Sequence, residues 1–313
     1  MSAAPSMFRP RLGRRRTIGR VFAALCLLLT VAAMFILAAL IVTVFRAGLP
    51  SLSRKFLANM PSVLTPEEAG MNSAIWGTLW LIGCTALFSV PVGVGAAVYL
   101  EEYAPNNRIT RFIKLNIANL AGVPSIVYGI LGLAVFVRWL RLDRSVISGA
   151  LTLSLLIVPV IIIAAREALA AVPGSIRQAA YALGATRWQT VRHHVLPAAL
   201  PGMMTGVILA LSRSIGETAP LIMIGALTYV AFTPGGSFTE DYPQTLGGAY
   251  EWFSTALTDQ FTAMPIQIYD WASRPQPEFH QLAAAGIAVL LCVLIIMNAT
   301  AVAVRAFRQR KSS

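Results

Sequence analysis

Charge is scarce in this chain of 313 residues: only 12% of positions are Asp, Glu, Lys or Arg, and just 13 are acidic. Soluble domains carry about 25% charged residues, so an ordinary water-covered surface is excluded. Cysteine is equally sparse. Cys26, Cys84 and Cys292 each stand inside an apolar run, which excludes an ectodomain held by disulfides and a thiolate metal cluster. The histidines are His193, His194 and His280, all near the ends of apolar runs and without an H-E-x-x-H pattern, so an intramembrane hydrolase lacks its base and ligands. There is no G-x-x-x-x-G-K-[ST] phosphate loop, so any nucleotide chemistry must come from another chain.

Hydrocarbon takes the place of what is missing. Hydrophobic residues make up 57% of the chain, and the mean hydropathy is +0.69, which identifies an integral membrane protein. The formal net charge of +12 sits beside apolar runs rather than along one polar face. That placement predicts orientation in a bilayer and no nucleic-acid partner.

About 20 apolar residues cross a bilayer, and six runs qualify: 21–45, 72–100, 112–137, 146–165, 198–231 and 281–304. The expected organisation is all-α: a basic N-terminal segment 1–20, one six-helix transmembrane domain over 21–304, and a basic tail 305–313. "RPRLGRRRTIGR" resembles the start of a signal peptide, but the apolar run after it is too long for a cleaved segment, so it reads as a retained span. With the N-terminus inside, cytoplasmic segments hold 17 basic residues and outer segments 7, which predicts both termini in the cytoplasm. "RWLRLDR", 138–144, is basic on the outer side, either as a tolerated exception or as a rim that attracts anions.

Two connections are too long for turns. The outer one, 232–280, carries Glu240, Asp241, Glu251, Asp259, Asp270 and Glu278 beside the aromatics of "AYEWF" and "IYDWASRP", and is expected to be partly helical at the membrane interface. The inner one, 166–197, has two sets of helix punctuation. Ser175 with Gln178 fits a capping box, Ile176, Ala179, Ala180 and Leu183 share a face, and Gly184 suits a C-terminal stop. Thr186 with Gln189 fits a second box, followed by Trp188, Val191 and Val195 up to Pro197, expected to end the second helix. Arg177, Arg187 and Arg192 give this helix–Gly–helix element a cationic exterior. It reads either as an amphipathic pair on the membrane surface or as a docking lever for a soluble partner.

Two charges interrupt the fifth apolar run. On a continuous helix Gly202, Gly206, Ala210, Arg213 and Glu217 fall at steps of four, four, three and four, so the charges extend a stripe of small residues. Such a stripe faces protein, because a charge facing lipid costs on the order of 3 kcal/mol. The pair reads as a register-fixing ion pair or as part of a transport path. Arg213 can offer forked donors to an oxyanion. An ionised Glu217 would hold Arg213 and weaken its grip on the anion. Thr218 adds a hydroxyl donor or bonds back to its own helix. Pro220 predicts a break or bend near the pair.

"QAAYALGATRWQTVRHHVLP" resembles the EAA loop of ABC-importer permeases, with Gln178, Ala179, Ala180, Gly184, Leu196 and Pro197 at the positions of that pattern. Gln178 replaces its acid, and His194 stands where an aliphatic is usual. "NLAGVPSIVYGI", "RSIGETAPLI" and "MPIQIYDWASRP" are similar to stretches of the PstA-type permease of the high-affinity phosphate transporter. The resemblance implies a type I ABC importer permease in a bacterial inner membrane, passing phosphate near Arg213, Glu217 and Thr218. It also implies ATPase coupling through Gln178, Ala179, Ala180, Gly184, Arg187, Trp188, Leu196 and Pro197. The implied partners are a homologous PstC-like permease, two copies of a PstB-like ATPase that carries the ATP and Mg, and a PstS-like phosphate-binding protein outside. This chain would bind no cofactor. The alternatives are a permease for sulfate or molybdate, or a proton-coupled secondary transporter using Glu217. The latter usually shows two related halves, and no second EAA-like or "GET" segment is present.

Overall fold

The computed structural model describes residues 12–236 and 246–310; residues 1–11 and 311–313 of the basic termini, and Glu240 and Asp241 of the long connection, lie outside the described residues. The chain runs through α1 (Leu12–Gly48), short α2 (Arg54–Ala58), α3 (Asn72–Val98), α4 (Arg108–Ala121), α5 (Ser125–Gly132), α6 (Val146–Ala170), α7 (Gly174–Ala182), α8 (Arg187–Thr190), α9 (Leu196–Ile215), α10 (Ala219–Ile224), α11 (Leu246–Thr258), α12 (Met264–Ala272) and α13 (Pro277–Arg310). Wide π turns follow α3 (Tyr99–Tyr103) and α5 (Leu133–Trp139) and join α8 to α9 (Val191–Val195). Among the described residues there is no strand, only one isolated bridge between Ser145 and Gln260.

Among the described residues five helices are long and apolar enough to cross a membrane, and a bent pair supplies a sixth crossing if it counts as one span. Helix α6 lies at the centre, with 67% of its apolar window buried; that of α1 is wholly unburied. On the α3–α6 seam small polar side chains bond the opposite backbone. Thr85 donates to the Ala150 carbonyl at 3.4 Å, and Ser154 donates to the Thr85 carbonyl at 3.3 Å. Against another face of α6 the stripe on α9 packs closely: a Cβ on Gly206 would stand 2.6 Å from that of Ala164. Small residues permit this approach where lipid supplies no hydrophobic force between helices.

Two expectations change, and one is met. The run 112–137 is not one helix, since α4 and α5 meet at 98° across Gly122–Pro124. Gly122 caps α4, and Pro124, with ψ of 135°, follows it; proline disfavours helical backbone at Val123 before it and lacks an amide to continue the ladder. The run 198–231 is broken beside Arg213 and Glu217, as Pro220 predicts. A helix extends from Arg187 to Ile215, Gly216 caps it, and α10 restarts at Ala219 with Pro220 in its first turn. The long connection does not simply lie along an interface. Phe261 to Gln267 and Trp271 are buried, and the Met264 amide donates to Thr78 of α3 at 2.9 Å.

Candidate functional site

The two breaks face each other. Short α5 and α10 pack so closely that a Cβ on Gly129 would fall 2.7 Å from the Cα of Pro220. Beside them a cavity of about 300 Å³ is lined by Gly122, Pro124, Ser125, Tyr128, Leu156 and Arg213, among others. Leu156 and Ile157 sit midway along α6, so the cavity lies deep within the bundle's span. The first amides of α5 have no partner within their own helix, and its positive dipole end opens at Ser125. Arg213 adds a full positive charge from the last turn of α9.

Arg213 and Glu217 do meet, Nε to Oε1 at 3.5 Å, but not along one helix: Arg213 closes α9 while Glu217 stands in the link to α10. The arginine side chain is 63% exposed toward open space and the glutamate 17%. Thr218 is the N-cap residue of α10, and its side chain makes no capping bond. The arrangement is a cation beside a helix N-terminus, partly balanced by one carboxylate, which suits a transient oxyanion. Among the described residues no group of His, Cys, Asp and Glu could hold a metal ion.

The expected helix–Gly–helix element forms at one end of the bundle. Gly184 adopts φ of +79°, and the Ala185 amide reaches back to the Ala180 carbonyl at 3.1 Å, closing α7 in a left-handed cap that glycine enters without Cβ strain. Thr186 and Gln189 form the reciprocal capping box. The box expected at Ser175 is absent, because α7 starts two residues earlier, with Pro173 at the N-cap. Pro197 does not end the second helix. The π turn at 191–195 bonds the Leu196 amide to the Val191 carbonyl, and this wider winding lets the chain continue through the proline into α9.

Ala180 is buried; Gln178, Ala179, Gly184, Arg187 and Pro197 are exposed, and Leu196 is half-buried. Val191 and Val195 are fully buried, while Trp188 and Leu183 stand out at 56% and 89% exposure. The expected inward faces are therefore divided, and the elbow presents Leu183, Tyr181 and Trp188 outward.

Residues 89–313 match the family model described as binding-protein-dependent transport system inner membrane component. The chain belongs to this family. The permease is 33% identical over 273 residues to a probable ABC transporter permease protein, YqgI, of Bacillus subtilis, covering 85% of this chain and 89% of the relative. It is 35% identical over 223 residues to the phosphate transport system permease protein PstA 1 of Mycobacterium tuberculosis H37Rv, covering 70% and 72%. A solved bacterial alginate ABC transporter shares the fold, with a TM-score of 0.58 at 16% identity over 91% of this chain and 94% of that one. The permease therefore has the fold of ABC importer permeases, and family membership implies a substrate-binding protein and an ATPase as partners.

The sequence pattern singled out neither Glu101 nor Glu102, yet they organise the loop end of the permease. Glu102, 6% exposed, accepts a fork from Arg177: Nη2 to Oε1 at 2.6 Å and Nε to Oε2 at 3.3 Å. Arg177 also donates to the carbonyls of Val172 and Leu169 beyond and within the end of α6. The Glu102 bond raises the Arg177 pKa against the lowering effect of burial, so the guanidinium stays charged. Two consecutive acids ending an apolar run were the available signal.

Proposed function

We propose that this permease forms part of an ATP-driven import path for inorganic phosphate. The observation that carries the reading is Arg213 facing a cavity at the α4–α5 break, whose lining also includes Pro124 and Ser125 at the N-terminal end of α5. Phosphate accepts forked bonds from arginine and backbone bonds from a helix N-terminus, and broken helices at mid-depth are a recurring transport-site device. Similarity to phosphate permeases over most of the chain supports phosphate over sulfate or molybdate. Glu217 holds Arg213 and speeds release, and Thr218 offers a hydroxyl at the α10 start.

The loop 173–196 docks on the ATPase through the elbow around Gly184, with Gln178, Ala179, Ala180, Arg187, Trp188, Leu196 and Pro197 shaping it. A homologous permease completes the path, two ATPase copies supply ATP and Mg, and a binding protein delivers phosphate from outside, with both termini of this chain in the cytoplasm. Uptake into vesicles reconstituted with these partners tests the reading. Labelled phosphate should accumulate only with ATP, excess sulfate and molybdate should leave uptake unchanged, and an uncoupler at clamped ATP should not slow it. Uptake that follows the proton gradient, or yields to sulfate, would overturn the proposal.

A further inference from the structure

Three consecutive side chains on the π turn after α3 each grip a different part of the loop end. Glu101 bonds Lys114 of α4 at 3.5 Å and Arg166 of α6 at 3.3 Å. Glu102 receives the Arg177 fork from α7. Under Arg187 of α8 lies the Tyr103 ring, its centroid 5.2 Å from the guanidinium carbon. One short strap thus joins both helices of the helix–Gly–helix element to α4, and α4 ends at the Gly122–Pro124 break that lines the Arg213 cavity.

We infer that Glu101 and Glu102 are positioning residues, which carry displacement of the docking loop through the strap to α4 and so to the break. The inference rests on the reading that the loop docks an ATPase. The two links differ in kind. Arg177 is held by four hydrogen bonds to Glu102 and the end of α6, so α7 and the strap move as one body. The Glu101 contacts are longer and partly exposed, 24% for the glutamate and 31% for Lys114, so they can slide or re-pair while the fold persists. A π turn suits this role, since its looser winding yields where a regular α-helix end would resist. A rivet that only stabilises the fold would need none of the contact to α4.

The test uses a cysteine reporter in the cavity lining, Val123→Cys, in a chain with its native cysteines replaced, assembled with its permease and ATPase partners. Thiol labelling is compared without nucleotide and with ATP trapped by vanadate. The labelling rate should change by at least about fivefold on trapping, as expected for a two-state shift at the break. Glu101→Gln should reduce that change below about twofold, with ATPase assembly and trapping retained, because the Arg177–Glu102 fork still holds the loop. Lys114→Met should act in the same direction, and Lys114→Arg should restore the response. Glu102→Gln should lose the response together with loop docking.

An undiminished response in Glu101→Gln and Lys114→Met overturns the inference, as does the absence of any nucleotide response in the parent complex. Labelling does not depend on what is carried. Failure of phosphate uptake with an intact labelling response would therefore refute the phosphate reading and leave the strap in place.

Discussion

Replacing Arg213 with glutamine should separate transport from scaffolding, because the two proposed roles predict very different magnitudes. If the arginine served to fix helix register, its worth would be that of the Glu217 pair, whose separation is 3.5 Å and whose arginine is 63% exposed. Pairs of that geometry contribute about 0–1 kcal/mol, little against a bundle whose α6–α9 seam closes on Gly206 and Ala164. Assembly of Arg213→Gln should therefore match the parent. On the proposed reading, anion recognition should be affected far more. Each hydrogen bond from a charged donor contributes about 1.5–3 kcal/mol, so loss of one should lower phosphate occupancy roughly 10- to 150-fold. Arg213→Lys keeps the charge but not the fork and should fall between. Uptake is measured as initial rate in vesicles carrying the same amount of assembled complex, quantified by ATPase co-purification. Parent-level uptake by well-assembled Arg213→Gln would refute the reasoning. Loss of assembly would show that the register role governs.

Other perturbations follow from the same geometry. Gly184→Val forces a β-branched side chain into φ of +79°, at a cost of roughly 1 kcal/mol or more, and should release the ATPase from membranes or uncouple hydrolysis from uptake. Co-purification and uptake measured together distinguish those outcomes from a silent change. Glu217→Gln removes the counter-charge from Arg213 and should slow turnover while phosphate binding tightens, read as a fall in maximal rate with a lower half-saturating concentration. Gly206→Leu drives a side chain into Ala164, where a single Cβ would already stand at 2.6 Å, and should destabilise the α6–α9 seam by about 1–3 kcal/mol. Thermal unfolding of the detergent-solubilised complex reads that loss, and Gly206→Ala should show a smaller one.

Several features of this permease are written locally, and there the sequence is sufficient. Apolar length determines that the helices cross a membrane, since only an intrachain ladder satisfies the backbone in lipid. The Thr186–Gln189 box and the Gly184 cap are fixed within a few residues, so pattern and geometry coincide. Similarly, the spacing of Gly202 and Gly206 announces a face that meets protein, although not which helix it meets.

Tertiary structure decides what depends on distant partners. Hydropathy does not show that Gly122–Pro124 bends the third apolar run by 98° or that Gly216 ends the long helix, because each break falls inside a run long enough to cross a membrane as one helix. Nor does it show that Arg213 faces the break in another helix, since the cavity is built from residues far apart in the chain. Glu101 and Glu102 look like two acids ending a span until Arg177, 75 residues from Glu102, folds back onto the second of them. A buried carboxylate demands a cation, but local sequence does not specify which one; packing of α7 against the ends of α3 and α6 makes that choice.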